Sequence, residues 1–166
     1  MFQHLLVPLD GSHLAEVAIP AALEIARRFD SQITLVRVVR PPQIVLATTE
    51  GAVFTELLSD LRQQEVQEAT TYLKSLQGSL RQQGYVVHTH LIEGEPIADL
   101  ILEVAEGLDV DGIVMSTHGR SGLSRWVFGS VAEKVLRGAA VPVVLIRAKE
   151  DITHLDAPAK QHMFQN

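Results

Sequence analysis

The stretch MSTHGRSGLSRWVFGSVAEKVL, Met115 to Leu136, gathers the residue types in this chain best suited to chemistry. Gly119, Gly122 and Gly129 are interleaved with hydroxyl side chains, and an apolar helical pattern follows at once. Backbone N–H groups at a helix N-terminus have no partner inside the helix, and the helix dipole adds positive character there, so such a loop binds anions. Gly119 lets the chain leave a strand without a Cβ, and Gly129 lets backbone approach a ligand closely where the helix starts. Ser130 adds a hydroxyl, while Arg120 and Arg125 add positive charge. The chemistry implied is phosphate binding. Ser130 has a second reading, because SVAE (Ser130 to Glu133) matches a capping box, with the serine capping the helix and the glutamate reaching back.

Other chemistries find less support. No G-x-G-x-x-G follows the first apolar segment, which argues against a dehydrogenase-type dinucleotide fold, and no P-loop pattern occurs. GRSGL (Gly119 to Leu123) lacks the closing glycine of a nucleophile elbow, which leaves a Ser121–His118 hydrolase without its turn. With no cysteine, disulfides, thiol catalysis and cysteine zinc sites are excluded. His88 and His90 lie two apart on one strand face without a carboxylate at ligand spacing, which reads as a half-exposed edge face and not as a metal site. His118 reads as a brace within the glycine loop. Glu93 and Glu95 flank Gly94 as turn and first-turn charges beside Pro96, not as a catalytic dyad.

The whole chain sets bounds on what these residues serve. Its 166 residues suit one domain, and 46% hydrophobic with 20% charged residues is ordinary for a globular protein. The formal net charge is -6, with no run of Lys or Arg longer than a pair, so neither nucleic acid nor an anionic membrane is an expected partner. MFQHLLVPLD has no basic start and its apolar run stops at Pro8, so it does not read as a signal peptide. No stretch reaches the roughly 18 apolar residues of a membrane span. A cytoplasmic location is expected.

The elements that must position the loop alternate in kind. His4 to Leu9, Gln32 to Val39, Val86 to Ile92, Asp111 to Thr117 and Val141 to Arg147 are short and rich in Val, Ile and Leu, as strands covered on both faces are. Helical spacing runs from Ser12 to Phe29, with Ser12 as N-cap and a kink expected at Pro20. A longer helix runs from Ala52 to Gln83, its apolar stripe formed by Phe54, Leu57, Leu58, Leu61, Ala69, Tyr72, Leu73, Leu76 and Leu80, and Gly84 ends it. Pro96 opens a third helix that stops near Gly107, and Val131 to Leu136 carries a fourth, ending near Gly138. This alternation predicts an α/β fold, a single-domain open five-stranded parallel sheet with helices on both faces. Residues 1–148 form the domain, and 149–166 read as a polar, loosely ordered tail. The proline-started connection from Arg40 to Gly51 is longer than most. Ligands of such sheets bind at the strands' carboxyl ends, where the strand order reverses. Those ends here lead into DGS (Asp10 to Ser12) and the glycine loop.

These residues resemble the universal stress protein family. Its signature is Gly, two residues, Gly, nine residues, then Gly with Ser or Thr, and Gly119 followed by Gly129-Ser130 matches the second half. THGRSG, GSVAEKVL, VPVVLIR and the opening LLVPLDGS are also similar to that family, and the likeness extends from Met1 to about Arg147. The first signature glycine would fall at 116, where this chain has Ser116, which adds a Cβ and disfavours positive φ. The resemblance implies a Rossmann-like sheet of strand order 3-2-1-4-5 that binds ATP, with Mg²⁺ accompanying the phosphates. It implies a nucleotide-responsive regulatory dimer, not an enzyme, with ATP hydrolysis slow at most.

By the same resemblance Pro8 and Asp10 end the first strand, with Asp10 near adenine or ribose; Val38 lines the adenine pocket; Met115 and Ser116 end the fourth strand. Gly119, Gly129, Ser130 and Val131 wrap ribose and phosphates. Val38 and Met115 also fit plain core packing, and Asp10 also fits a helix cap. The strand from Val141 to Arg147 would lie at the sheet edge and pair two copies into a homodimer. The alternative keeps the fold and dimer but binds no nucleotide, leaving a protein-interaction module. An adenylating enzyme of related architecture would need a second substrate site, which this length hardly accommodates.

Overall fold

A computed structural model describes residues 1–41, 51–117 and 129–147, with the backbone alone for 51–56. Along the chain run β1 (His4–Pro8), α1 (His13–Glu16), α2 (Ala18–Phe29), β2 (Gln32–Val39), α3 (Gly51–Gln82), β3 (Val87–Glu93), α4 (Ile97–Gly107), β4 (Gly112–Ser116), α5 (Ser130–Gly138) and β5 (Val143–Ile146). The strands form one all-parallel sheet of order β3-β2-β1-β4-β5, as the resemblance implied. The expected tail and most of the Arg40–Gly51 connection lie outside the described residues.

Strand alternation sends successive side chains to two cores. Leu5, Val7, Ile33 and Leu35 join the alanines of α1 and α2 and Leu73 and Leu80 of α3 on one face. Leu6, Val36, Ile113 and Met115 join Ala98, Ile101 and Val104 of α4 and Ala132 and Val135 of α5 on the other.

The helical run expected from Ser12 to Phe29 is two helices. Ser12 is the N-cap of α1, its Oγ accepting the Ala15 N–H at 3.2 Å. The break falls at Val17, three residues before Pro20. Proline there offers no N–H to the Glu16 carbonyl one turn back, and its ring crowds that carbonyl, so α2 starts afresh at Ala18.

The stripe expected along α3 is buried only in part. Ala69, Leu73 and Leu80 are in the core, but Leu57 and Leu61 are 54% and 47% exposed. Helical periodicity shows which residues share a face, not how far the sheet extends beneath it. The N-terminal half of α3 runs past the carboxyl edge of the sheet, and there its Leu61 face borders a cavity.

Candidate functional site

β1 and β4 are neighbours where the strand order reverses, and their ladder is short: Leu5 pairs with Gly112 and Leu6 with Ile113. Pro8 explains part of this. The Leu9 N–H donates to the Val36 carbonyl at 2.8 Å, toward β2, so alternation turns the preceding residue toward β4, where proline has no N–H to offer. Beyond Leu6 no further pair joins the two strands, and the carboxyl end of the sheet opens between them.

On the far side of the opening, the Thr117 N–H donates to the Ile146 carbonyl at 2.9 Å, and the Gly129 N–H donates to the Thr117 carbonyl at 2.8 Å. These bonds tie the end of β4 to β5 and to the start of α5. They set the α5 N-terminus over the carboxyl ends of β1 and β4.

The result is a cavity of about 850 Å³, toward the upper end of the roughly 300–1,000 Å³ typical of small-molecule sites. Pro8, Asp10, Val38, Met115, Ser116, Gly129, Ser130 and Val131 all line it. Residues named separately from the sequence are thus brought around one space; Gly119, with His118, Arg120 and Arg125, lies outside the described residues. Val38 and Met115 belong to the α4/α5 core and line the cavity as well, so packing and lining are not exclusive for them. Ile97 and Ile101 of α4 extend this apolar wall.

Asp10 is part of a tight turn. Its Oδ1 accepts the Ser12 N–H at 2.9 Å and the Ser12 hydroxyl at 2.6 Å. The serine therefore caps α1 and the aspartate braces the serine, which settles how the two share the helix start.

Ser116 is buried in β4, in register with Ile146. The non-glycine residues with positive φ among those described are Phe2, Asp30 and Asp109. Ser116 therefore occupies ordinary strand conformation, and its difference from glycine is a small side chain and not backbone strain.

The capping-box reading of Ser130 is corrected. The N-cap is Gly129, whose carbonyl accepts the Glu133 N–H at 2.9 Å; Ser130 is one position inside α5, and Glu133 instead pairs with Arg137 at 3.0 Å. A glycine cap has no side chain to satisfy the first-turn donors, so among the described residues no N-cap side chain takes up the α5 N–H groups at the cavity end.

Two parts of the lining were not legible beforehand. Leu61, Gln64, Glu65 and Glu68 of α3 form one wall, and Arg37 of β2 and Arg40 just beyond it contribute positive charge. The positions 61, 65 and 68 do share a helical face in sequence, but nothing in their spacing says that a cavity lies against it. Arg40 also pairs with Glu95 at 3.0 Å, and Glu93 with Arg62 at 2.5 Å, so both glutamates around Gly94 serve ion pairs.

A shallower groove of about 290 Å³ lies toward the amino ends of the strands, between His4, Thr34, His88 and His90. His4 Nε2 is 2.8 Å from Thr34 Oγ1, and burial lowers the His4 pKa against the opposing effect of a hydrogen bond with the Leu108 backbone. His88 is exposed and His90 half-buried on the edge strand β3, as their spacing predicted. Among the described residues no group of three or more His, Asp or Glu is arranged to hold a metal ion, and no helix is long and apolar enough to cross a membrane.

Comparison with known proteins gives a consistent likeness. Residues 1–147 match the model of the universal stress protein family. The chain is 37% identical over 147 residues to the universal stress protein MJ0531 of Methanocaldococcus jannaschii, covering 89% of this chain and 83% of that protein. It is 28% identical to YxiE of Bacillus subtilis, covering 89% of this chain and all of the relative. Among solved structures, the protein MJ0577 superposes with a TM-score of 0.77 at 25% identity, covering 90% of this chain and 99% of that one. UspA from Lactobacillus plantarum gives 0.74 at 26%, covering 88% and 98%. A further universal stress protein, in complex with cAMP, shares the fold at a TM-score of 0.56 and 19% identity, covering 89% and 98%.

Proposed function

This chain belongs to the universal stress protein family, and we propose that it binds ATP in the cavity at the β1/β4 switch point and acts as a nucleotide-responsive regulatory dimer in the cytoplasm. The observation that carries the reading is the convergence of three strand ends and the glycine-capped N-terminus of α5 on one cavity. Val38, Met115 and Ile101 offer an apolar wall for adenine, and Asp10 offers a carboxylate to a ribose hydroxyl. Gly129, Ser130 and Val131 offer first-turn donors and the positive end of the helix dipole to phosphates.

Mg²⁺ fits this arrangement as a passenger on the phosphates, since the described lining supplies no dedicated cation cage and the ion keeps several waters when bound to nucleotides. It would neutralise phosphate charge there. The Asp10 carboxylate is already engaged by Ser12, which leaves it poorly placed as a base for water and agrees with slow hydrolysis at most.

Denaturing freshly purified protein and separating the supernatant by anion exchange tests the ligand. Near-equimolar ATP or ADP is expected. An empty supernatant, with no heat on titrating Mg-ATP, overturns the reading in favour of a ligand-free interaction module.

The dimer would form through the Val141–Arg147 edge. Pro142 and Ile146 carbonyls point toward β4, so alternation turns the N–H groups of Val143 and Leu145 outward from the half-exposed edge. Light scattering at micromolar concentration is expected to give twice the 18.2 kDa chain mass. Val143→Pro removes one outward donor at a strand start that tolerates proline, and should yield folded monomer. A wild-type monomer would exclude this dimer.

A further inference from the structure

The turn bearing Asp10 is held by side chains that the nucleotide reading leaves unused. Gly11 has φ of +84°, and a Cβ there would meet Arg37 Nη1 at 3.0 Å and Cζ at 3.3 Å. The guanidinium therefore packs directly on the turn's backbone. Only a residue without a Cβ combines that backbone conformation with this approach.

Arg37 is itself fixed from α3. Its Cζ lies 5.4 Å from the centre of the Tyr72 ring, within reach of a cation–π attraction. The Tyr72 hydroxyl donates to Glu16 Oε1 at 2.9 Å. Burial first, and then this bond, raise the phenol's pKa, so it stays a neutral donor. Glu16 sits in α1, whose N-cap Ser12 donates twice to Asp10. The contacts close a ring through β2, α3, α1 and the turn.

We propose that Arg37 and Tyr72 clamp the Asp10–Ser12 turn and fix the Asp10 carboxylate at the mouth of the cavity, as positioning residues for ligand binding. Distant parts of the chain, Arg37 on a strand and Tyr72 on α3, meet at this turn and add contacts from outside it to its own short hydrogen bonds. The clamp is a property of the ligand-free chain; its effect on affinity rests on the nucleotide reading above.

The experiment measures amide hydrogen exchange at Ser12 and at Leu35 in the ligand-free full chain, alongside the Kd for Mg-ATP. In Arg37→Met, Ser12 exchange is expected to rise about tenfold, the scale of one partly desolvated cation–π contact, with Leu35 unchanged. Kd should rise too, in part through loss of a cavity-lining charge, so the positioning role is read from Tyr72→Phe, whose side chain does not line the cavity. Tyr72→Phe keeps the ring but loses the Glu16 bond and should give a smaller rise in both, and Arg37→Lys should recover part of the loss. Unchanged Ser12 exchange in Arg37→Met, or Ser12 and Leu35 accelerated together, would overturn the clamp. Faster Ser12 exchange with unaltered Kd would overturn the positioning role. If wild-type protein binds no Mg-ATP the nucleotide reading fails, while the exchange ratio still decides the clamp.

Discussion

Replacing Leu35 by alanine is expected to destabilise the folded chain by about 2–5 kcal/mol while leaving ligand affinity intact in the molecules that stay folded. Leu35 is fully buried in β2, a strand paired on both sides, in register with Val7 on β1 and Thr89 on β3. It belongs to the core that α1, α2 and α3 close, where the buried residues of α1 and α2 are alanines. Small helix residues bring backbone close to the sheet, so the space vacated by a leucine has few side chains able to swing into it. For a domain of this size a loss of about 3 kcal/mol lowers Tm by about 6–12 °C. Leu35 does not line the cavity, which separates stability from binding. Urea unfolding followed by circular dichroism should show a lower midpoint at unchanged slope. The same truncation at the exposed Leu57 should shift stability by no more than about 0.5 kcal/mol. Equal effects at the two positions would mean that the centre of β2 is not the core described here.

That contrast also marks where sequence reading works. β2 is bounded at Gln32 and Val39 in both the pattern and the structure, because a strand covered on two faces is apolar nearly throughout. Ser12, Pro20 and Gly84 act through local backbone chemistry and do what their types dictate, down to the positive φ of Gly84. Leu57 and Leu61 mislead because an apolar stripe is evidence of a shared helix face only, and the sheet that would cover it ends first. Ser130 misleads differently. The pattern SVAE is the same whether the helix starts at 130 or 131, and the Gly129–Thr117 bond at the helix start is a contact no spacing rule contains. Arg37 and Tyr72 are invisible for the same reason: they meet across 35 positions of sequence through the packing of α3 on the sheet.

Introducing a carboxylate at Ser130 is expected to move stability and ligand affinity in opposite directions. Ser130 is exposed at the first position of α5, behind a glycine N-cap. An aspartate there faces the positive end of the helix dipole and stabilises the helix by about 0.3–1 kcal/mol. The same charge would stand where the reading places phosphates. Two like charges about 5 Å apart repel by about 3 kcal/mol at an effective dielectric constant of about 20. With Mg²⁺ offsetting part of the phosphate charge, Ser130→Asp should weaken Mg-ATP binding by about 100-fold. Adenosine has no phosphate and should bind the variant as it binds the wild type. Calorimetric titration with both ligands, set beside a thermal melt, therefore reads three signs at once. Equal loss for adenosine and Mg-ATP would put Ser130 against the nucleoside, and no loss for either would remove the phosphates from α5. A slightly higher Tm with selective loss of Mg-ATP is the result that follows from a helix N-terminus capped by glycine and turned toward an anion.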